Sequence, residues 1–507
     1  MSGNEIYLKI KEYCRQTKVL ASVESVLSWD QETYMPEDAI NHRADQISMI
    51  AKLVHSRWIS DDLRLLLEDC FDLNSGEIKL RGLSKHELRQ LELLYLDWKK
   101  KKSLPNEFVA NFSKTVAEAT HVWQKAKNKS EFSFFEPYLV KLIELSRQKA
   151  GYIDAKKNVY DVLLDEYEPG LTTEKLQEIL IPLKNECIQM LKKIHLSKFK
   201  PKRFNSNFNF SKQLAVSKDI LEKMRFDFFK GRLDTSSHPF TIDIHPHDVR
   251  VTTRISDTNF FESITSTIHE GGHGLYEQGL SVENYGLGLA ESVSLGIHES
   301  QSRFWENHVG KSFTFWDAYF PKLQTYFSTE LKNVTSYDLF ASVNEVSPGL
   351  IRVDADEISY CLHIIIRFEC ELALFNNIIS TAQLRDHWKS LYKDYLGVVP
   401  KNDSEGILQD IHWATGAFGY FPTYVLGSII AAQLFNKMTT DFNDFEGCVN
   451  SLDWKPINDW LNLNIFSYGR FFDTDDLVKQ VTSRSINVDD LIVYLKSKYS
   501  ALYNVEL

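Results

Sequence analysis

Apolar residues recur every three or four positions through most of the chain, as in KLQEILIPLKNECIQMLKKI (175–194) and HIIIRFECELALFNNII (363–379). That spacing gathers them on one face of a 3.6-residue helix, so the pattern predicts a mainly α fold. The clearest exception is HPFTIDIHPHDVRVTTRI, residues 238–255, where β-branched residues alternate with polar ones between prolines. This stretch reads as a small hairpin or sheet. It lies just ahead of a helical segment at 260–278 and is placed to form one wall of a cleft against which an extended backbone could pair. No linker, low-complexity tract or repeat interrupts the chain. The expectation is a single large helical domain over residues 1–507, with an N-terminal helical part to about 235 and a second part from about 236.

Inside the segment FFESITSTIHEGGHGLYEQ (260–278), Asn259 is available as an N-cap, Glu262 occupies the third position and Gly279 a stop. His269 and His273 then project from one face about one turn apart, which lets two imidazoles bind a single ion. Glu270 flanks that ion, where a carboxylate can take a proton from an activated water. Gly271 and Gly272 each disfavour a helix interior by roughly 1 kcal/mol relative to alanine, so something is expected to pack closely there. HEGGH alone also matches amphipathic helices by chance, and a third protein ligand is needed for an open catalytic site. A second helix is expected from about Leu289 through ESVSLGIHESQSRFWENH, joined by a turn centred near Asn284. In an antiparallel hairpin the position facing the two histidines is about residue 297, which fits Glu299 and leaves Glu291 almost two turns away. His298 reads either as an outer group of the site or as a packed histidine.

Charge and cysteine content narrow the partners. Lys plus Arg total 58 against 69 Asp plus Glu, a net charge of −11, which argues against nucleic acid or an anionic membrane. No segment offers the roughly 20 apolar residues of a membrane span. The six cysteines are scattered with no CxxC pair, and the N-terminus has no export pattern, so a cytoplasmic location is expected. Peptides or small molecules remain as ligands. For peptide hydrolysis, a developing oxyanion needs donors and a free carboxylate needs a cation. QDIHWATGAFGYFPTY supplies His412, Tyr420 and Tyr424 among glycines and aromatics. Arg352 and Arg250 are candidate cations, with Asp354, Asp356 and Asp248 as nearby structural partners.

The chain resembles the carboxypeptidase Taq family of metallocarboxypeptidases. HPF (238–240), DVRVT (248–252), HEGGH (269–273), HESQ (298–301), IRVDAD (351–356) and GILQDIHW (406–413) occur in that family's order. LSWDQETYMP (27–36) and YDVLLDEYEPG (160–170) extend the likeness to nearly the whole chain. The resemblance implies a helical fold with a deep groove, a homodimer, and release of residues one at a time from peptide C-termini. No charged determinant for the terminal side chain stands out in the sequence, so broad specificity is expected. It implies one divalent ion per chain, zinc or alternatively cobalt, on His269, His273 and Glu299, with Glu270 as general base. By wider similarity to angiotensin-converting enzyme and the thimet oligopeptidases, His412 and Tyr420, and behind them Tyr424, stabilise the intermediate. Arg352 is the first choice for the substrate carboxylate and Arg250 the second, with His238 counted among the substrate-binding positions. Gly274 stands where the family pattern suggests alanine and is expected to loosen the helix. The rivals are an oligopeptidase or dipeptidase of related architecture and a non-catalytic helical scaffold with a structural metal.

Overall fold

The computed structural model describes residues 3–204, 207–442 and 444–507. Helices dominate, as the apolar spacing predicts. The chain opens with an antiparallel pair, Gly3–Thr33 and Ile40–Trp58, closed by Arg43 to Asp30 at one end and Arg57 to Thr17 at the other. A small apolar core of Tyr7, Ile10, Leu63, Leu91 and Trp98 holds this part together. The main core runs unbroken from Ala119 to Tyr503. At its centre the helix Glu357–Phe375 buries every residue except Glu369, the behaviour of a helix apolar all round and enclosed by others.

The β region is a three-stranded sheet of β1 (Gly231–Thr235), β2 (Thr241–His245) and β3 (Asp248–Thr253) in the order β1-β3-β2. β2 and β3 form the expected antiparallel hairpin, with Thr241 opposite Val251 and a bulge between Asp243 and His245. β1 pairs parallel to β3, a strand beyond the hairpin that the sequence pattern predicts, since the short GRLDT carries no strong strand signal. β2 is therefore an edge strand.

The helix Phe260–Gly279, here called the metal helix, lies against β3, the helix Phe210–Met224 and the helix Leu295–Arg303. Its glycines mark these approaches. A Cβ on Gly271 would lie 2.7 Å from Leu221 Cδ2, and one on Gly272 would lie 2.6 Å from the Gln301 carbonyl oxygen. One on Gly274 would meet Phe226 and Val251 at 2.8 and 2.9 Å, so this glycine is closely packed under the sheet. Asn259 makes no side-chain cap, and Glu262 instead pairs with Arg254. The second helix starts later than the sequence pattern suggests. Residues 288–290 form a short 3₁₀ turn, and Ser294 caps Leu295–Arg303 by accepting from the Ile297 N–H. A π-helical turn, Phe304–Gly310, continues it.

Candidate metal centre and active-site cleft

His269 and His273 converge with Glu299 from the facing helix. Their Nε2 atoms lie 3.6 and 3.3 Å from Glu299 Oε2, and one ligand atom from each residue falls within 4.8 Å of the others. Gly427, on the helix Pro422–Asp441, has no Cβ where the Glu299 side chain passes. Two imidazole nitrogens and a carboxylate oxygen, all turned to one point, suit a divalent ion such as zinc.

The groups behind these candidate ligands set their orientation. His269 Nδ1 is 2.8 Å from Glu306 Oε2, and His273 Nδ1 is 2.6 Å from His298 Nδ1. His298 in turn reaches Glu277 through Nε2 at 2.7 Å, so it stands behind a candidate ligand as a hydrogen-bonded group of the site. Burial and the neighbouring His298 push His273 down to about 3, which keeps its imidazole neutral with a lone pair for a metal. Burial works against the charged form of Glu299, but Arg303 and His269 outweigh it and hold the carboxylate well below its usual range. Glu306 is likewise kept ionised against burial by Lys311 and Arg303.

Glu270, 7% exposed, accepts a 2.7 Å hydrogen bond from Thr241 Oγ1 on β2. Burial raises its pKa above the ordinary value, which brings a carboxylate closer to the basicity a proton acceptor needs. These residues floor a cleft of about 640 Å³ whose walls include His238, Arg254, Arg352, Tyr360, Tyr420 and Tyr424. His238 is exposed at the rim. Tyr420 and Tyr424 face each other with ring centroids 5.3 Å apart. His412 stands behind them, its Nε2 3.1 Å from the Tyr424 hydroxyl, and is not itself a wall of the cleft. Burial pushes His412 down to about 4.

The two candidate arginines part company. Arg352 lines the cleft, lies over the Tyr424 ring at 4.9 Å and pairs with Asp410 through Nε at 3.0 Å. Its partner is thus Asp410, shared with Arg367, and neither Asp354 nor Asp356. Asp356 instead caps the helix Glu357–Phe375. Arg250 sits on β3, bidentate to Asp248 and 4.5 Å above the Trp29 ring, outside the walls of the metal cleft. Sequence reasoning missed Glu306, Arg254, Thr241 and Tyr360. Glu306 alone had a local signal, lying two helical turns beyond Glu299 on the same face.

The helical body and this cleft are those of a metal-dependent peptide hydrolase. The chain belongs to the carboxypeptidase Taq (M32) metallopeptidase family, whose model matches residues 9–499. It is 37% identical to "Carboxypeptidase 1" of Bacillus subtilis, the match covering 94% of this chain and 95% of that one. It is 36% identical to "Thermostable carboxypeptidase 1" of Thermus thermophilus over 99% of this chain and 100% of that one. Its fold superposes on the crystal structure of the M32 carboxypeptidase from Deinococcus radiodurans with a TM-score of 0.95 at 32% identity, covering 99% and 100% of the two chains. It is thus a metallocarboxypeptidase with a divalent metal, and among the described residues no helix is long and apolar enough to cross a membrane.

Proposed function

We propose that this chain removes C-terminal residues one at a time, with broad specificity, from peptides laid along the edge of β2. The observation that carries this reading is a single cleft holding three convergent ligand groups, a buried carboxylate beside them and an arginine on the wall. His269, His273 and Glu299 would hold one divalent ion, zinc, with cobalt the alternative. When bound, such an ion polarises a carbonyl and lowers the pKa of water toward about 7.

Glu270 takes the proton of the attacking water at its carboxylate, with Thr241 holding one oxygen in place, and returns it to the leaving amine. The hydroxyls of Tyr420 and Tyr424 donate to the oxyanion as it develops, and His412 fixes the Tyr424 hydroxyl from behind. Arg352, held against Tyr424 and Asp410, meets the free C-terminal carboxylate; His238 borders the rim on the same cleft. Arg250, spent on Asp248 and Trp29, is left a structural role. The whole chain acts as one catalytic unit, residues to about 235 backing the site that the remainder carries. A second copy is proposed to cover the outer helix Ile40–Trp58, which buries none of its residues and exposes Ile40, Met49 and Leu53.

The test is mass spectrometry of a peptide incubated with the protein, alongside elemental analysis for zinc. A ladder shortened only from the C-terminus, and resistance of the same peptide once amidated, are expected. Glu270→Gln should reduce turnover by at least about a hundredfold with metal content intact. Internal cleavage of the amidated peptide, or wild-type turnover in that variant, would overturn the reading.

A further inference from the structure

The segment 401–421 connects two helices without regular structure of its own, yet it carries His412 and Tyr420. One buried carboxylate grips it at two points. Glu371, on the helix Glu357–Phe375, is 0% exposed and accepts from Trp413 Nε1 at 2.8 Å and from the Gly419 N–H at 3.0 Å. Trp413 directly follows His412, and Gly419 directly precedes Tyr420. A third donor, the Tyr160 hydroxyl at 2.7 Å, ties the same carboxylate to the helix Val159–Leu164.

The backbone at the second grip admits only glycine. Gly419 has φ +84°, and a Cβ there would lie 2.9 Å from the Leu164 nitrogen. From that turn the Tyr420 ring departs toward the cleft, its centroid 5.1 Å from that of the Tyr167 ring in an edge-to-face arrangement. Among the described residues no lysine, arginine or histidine forms an ion pair with Glu371. Burial pushes it up to about 7 in spite of its three donors. The Arg367 guanidinium nearby favours the charged form only in small part, and a buried carboxylate without an ion-pair partner is unfavourable where an apolar side chain of similar volume would pack. Its three donors, two of them flanking residues of the oxyanion wall, give it a use.

We propose that Glu371 is a positioning residue for catalysis: it sets the pitch of the loop between His412 and Tyr420 so that the Tyr420 hydroxyl meets the oxyanion. This rests on the role given above to Tyr420. Displacement of a catalytic group by about 1 Å can lower a rate by roughly a hundredfold.

The test is steady-state kinetics of the metal-loaded, full-length protein on an N-blocked dipeptide with a free C-terminus. Glu371→Gln should lower kcat by about 10- to 100-fold, with KM within about twofold and bound metal unchanged. In a Tyr420→Phe background the same substitution should lower kcat by less than about threefold further, since both act through one hydroxyl. Tyr160→Phe, which leaves the carboxylate and removes one donor, should lower kcat by a smaller factor in the same direction, and it takes the place of Glu371→Gln if that variant does not fold. Wild-type kcat in Glu371→Gln or in Tyr160→Phe, an effect confined to KM, or a full multiplicative loss in the Tyr420→Phe background would overturn the positioning role. If Tyr420→Phe alone turns over at the wild-type rate, the reading of Tyr420 falls and positioning through it falls too. If Tyr420→Phe is impaired and Glu371→Gln is not, only the positioning role is lost.

Discussion

A methyl group on Gly272 would lie 2.6 Å from the Gln301 carbonyl oxygen and 2.7 Å from Ser302 Cα, both backbone atoms of the helix that carries Glu299. Two effects oppose each other there. Alanine gains about 1 kcal/mol of helix propensity over glycine. The clash falls on backbone, which cannot swing aside as a side chain does, and overpacking of this kind destabilises by about 1–3 kcal/mol. Gly272→Ala is therefore expected to lower stability by about 1 kcal/mol and to push Glu299 away from the two histidines, weakening metal affinity. Urea unfolding of the metal-free protein and chelator competition check the two effects separately. An unchanged unfolding midpoint with unchanged affinity would mean that the helix pair tolerates a wider spacing. The same glycine reads from sequence only as a position where something packs closely; which helix approaches, and with which atoms, comes from the tertiary arrangement.

Between the helix Leu295–Arg303 and the π-helical turn Phe304–Gly310, one continuous face presents Glu299 to the metal position and Glu306 to the back of His269. Arg303 lies between the two carboxylates, donating to Glu299 Oε1 at 2.7 Å and to Glu306 Oε2 at 3.1 Å. Lys311 adds a second cation to Glu306 at 2.7 Å. This element therefore carries a proposed ligand, the orienting partner of another proposed ligand, and a cation that favours the charged form of both carboxylates. Glu306→Gln preserves the shape but removes the negative charge from the His269 ring. Metal affinity is expected to fall about 10- to 100-fold, as for other carboxylates placed behind a ligating histidine. Isothermal titration with zinc checks this; an affinity within twofold of wild type would leave Glu306 as packing alone. The hairpin register expected from sequence reached Glu299 because only turn position and helix pitch were needed. The second helix starts about six residues later than the periodicity predicts, because Ser294 and the 3₁₀ turn at 288–290 interrupt a pattern that periodicity alone carries through.

Across the molecule, the outer helix Ile40–Trp58 leaves Met49 67% and Leu53 48% exposed, which fits the proposed second copy. Met49→Glu with Leu53→Glu should shift sedimentation from dimer toward monomer; an unchanged dimer would place the contact elsewhere, and a monomeric wild type would remove the proposal. The motifs that lie outside the metal helix tie distant parts of the chain together. Trp29 stacks against Arg250, Tyr160 binds Glu371, and Glu168 receives the Gly296 N–H at the start of the helix bearing Glu299. What the sequence by itself determined is what repeats over a few residues. Helical class, the i and i+4 histidines with Glu270 between them, and the β2–β3 hairpin follow from local periodicity and pitch. What only the tertiary structure decided is which distant groups meet. Arg352 and Arg250 look equivalent in the chain, each beside an aspartate, yet Arg352 reaches the cleft through Asp410, 58 positions away, while Arg250 turns to Trp29. Glu371 and Gly419 are 48 positions apart, and Tyr160 and Glu371 are 211 apart. Such pairs carry no local signature, because their meeting is set by how whole helices pack and not by the spacing of residues along one of them.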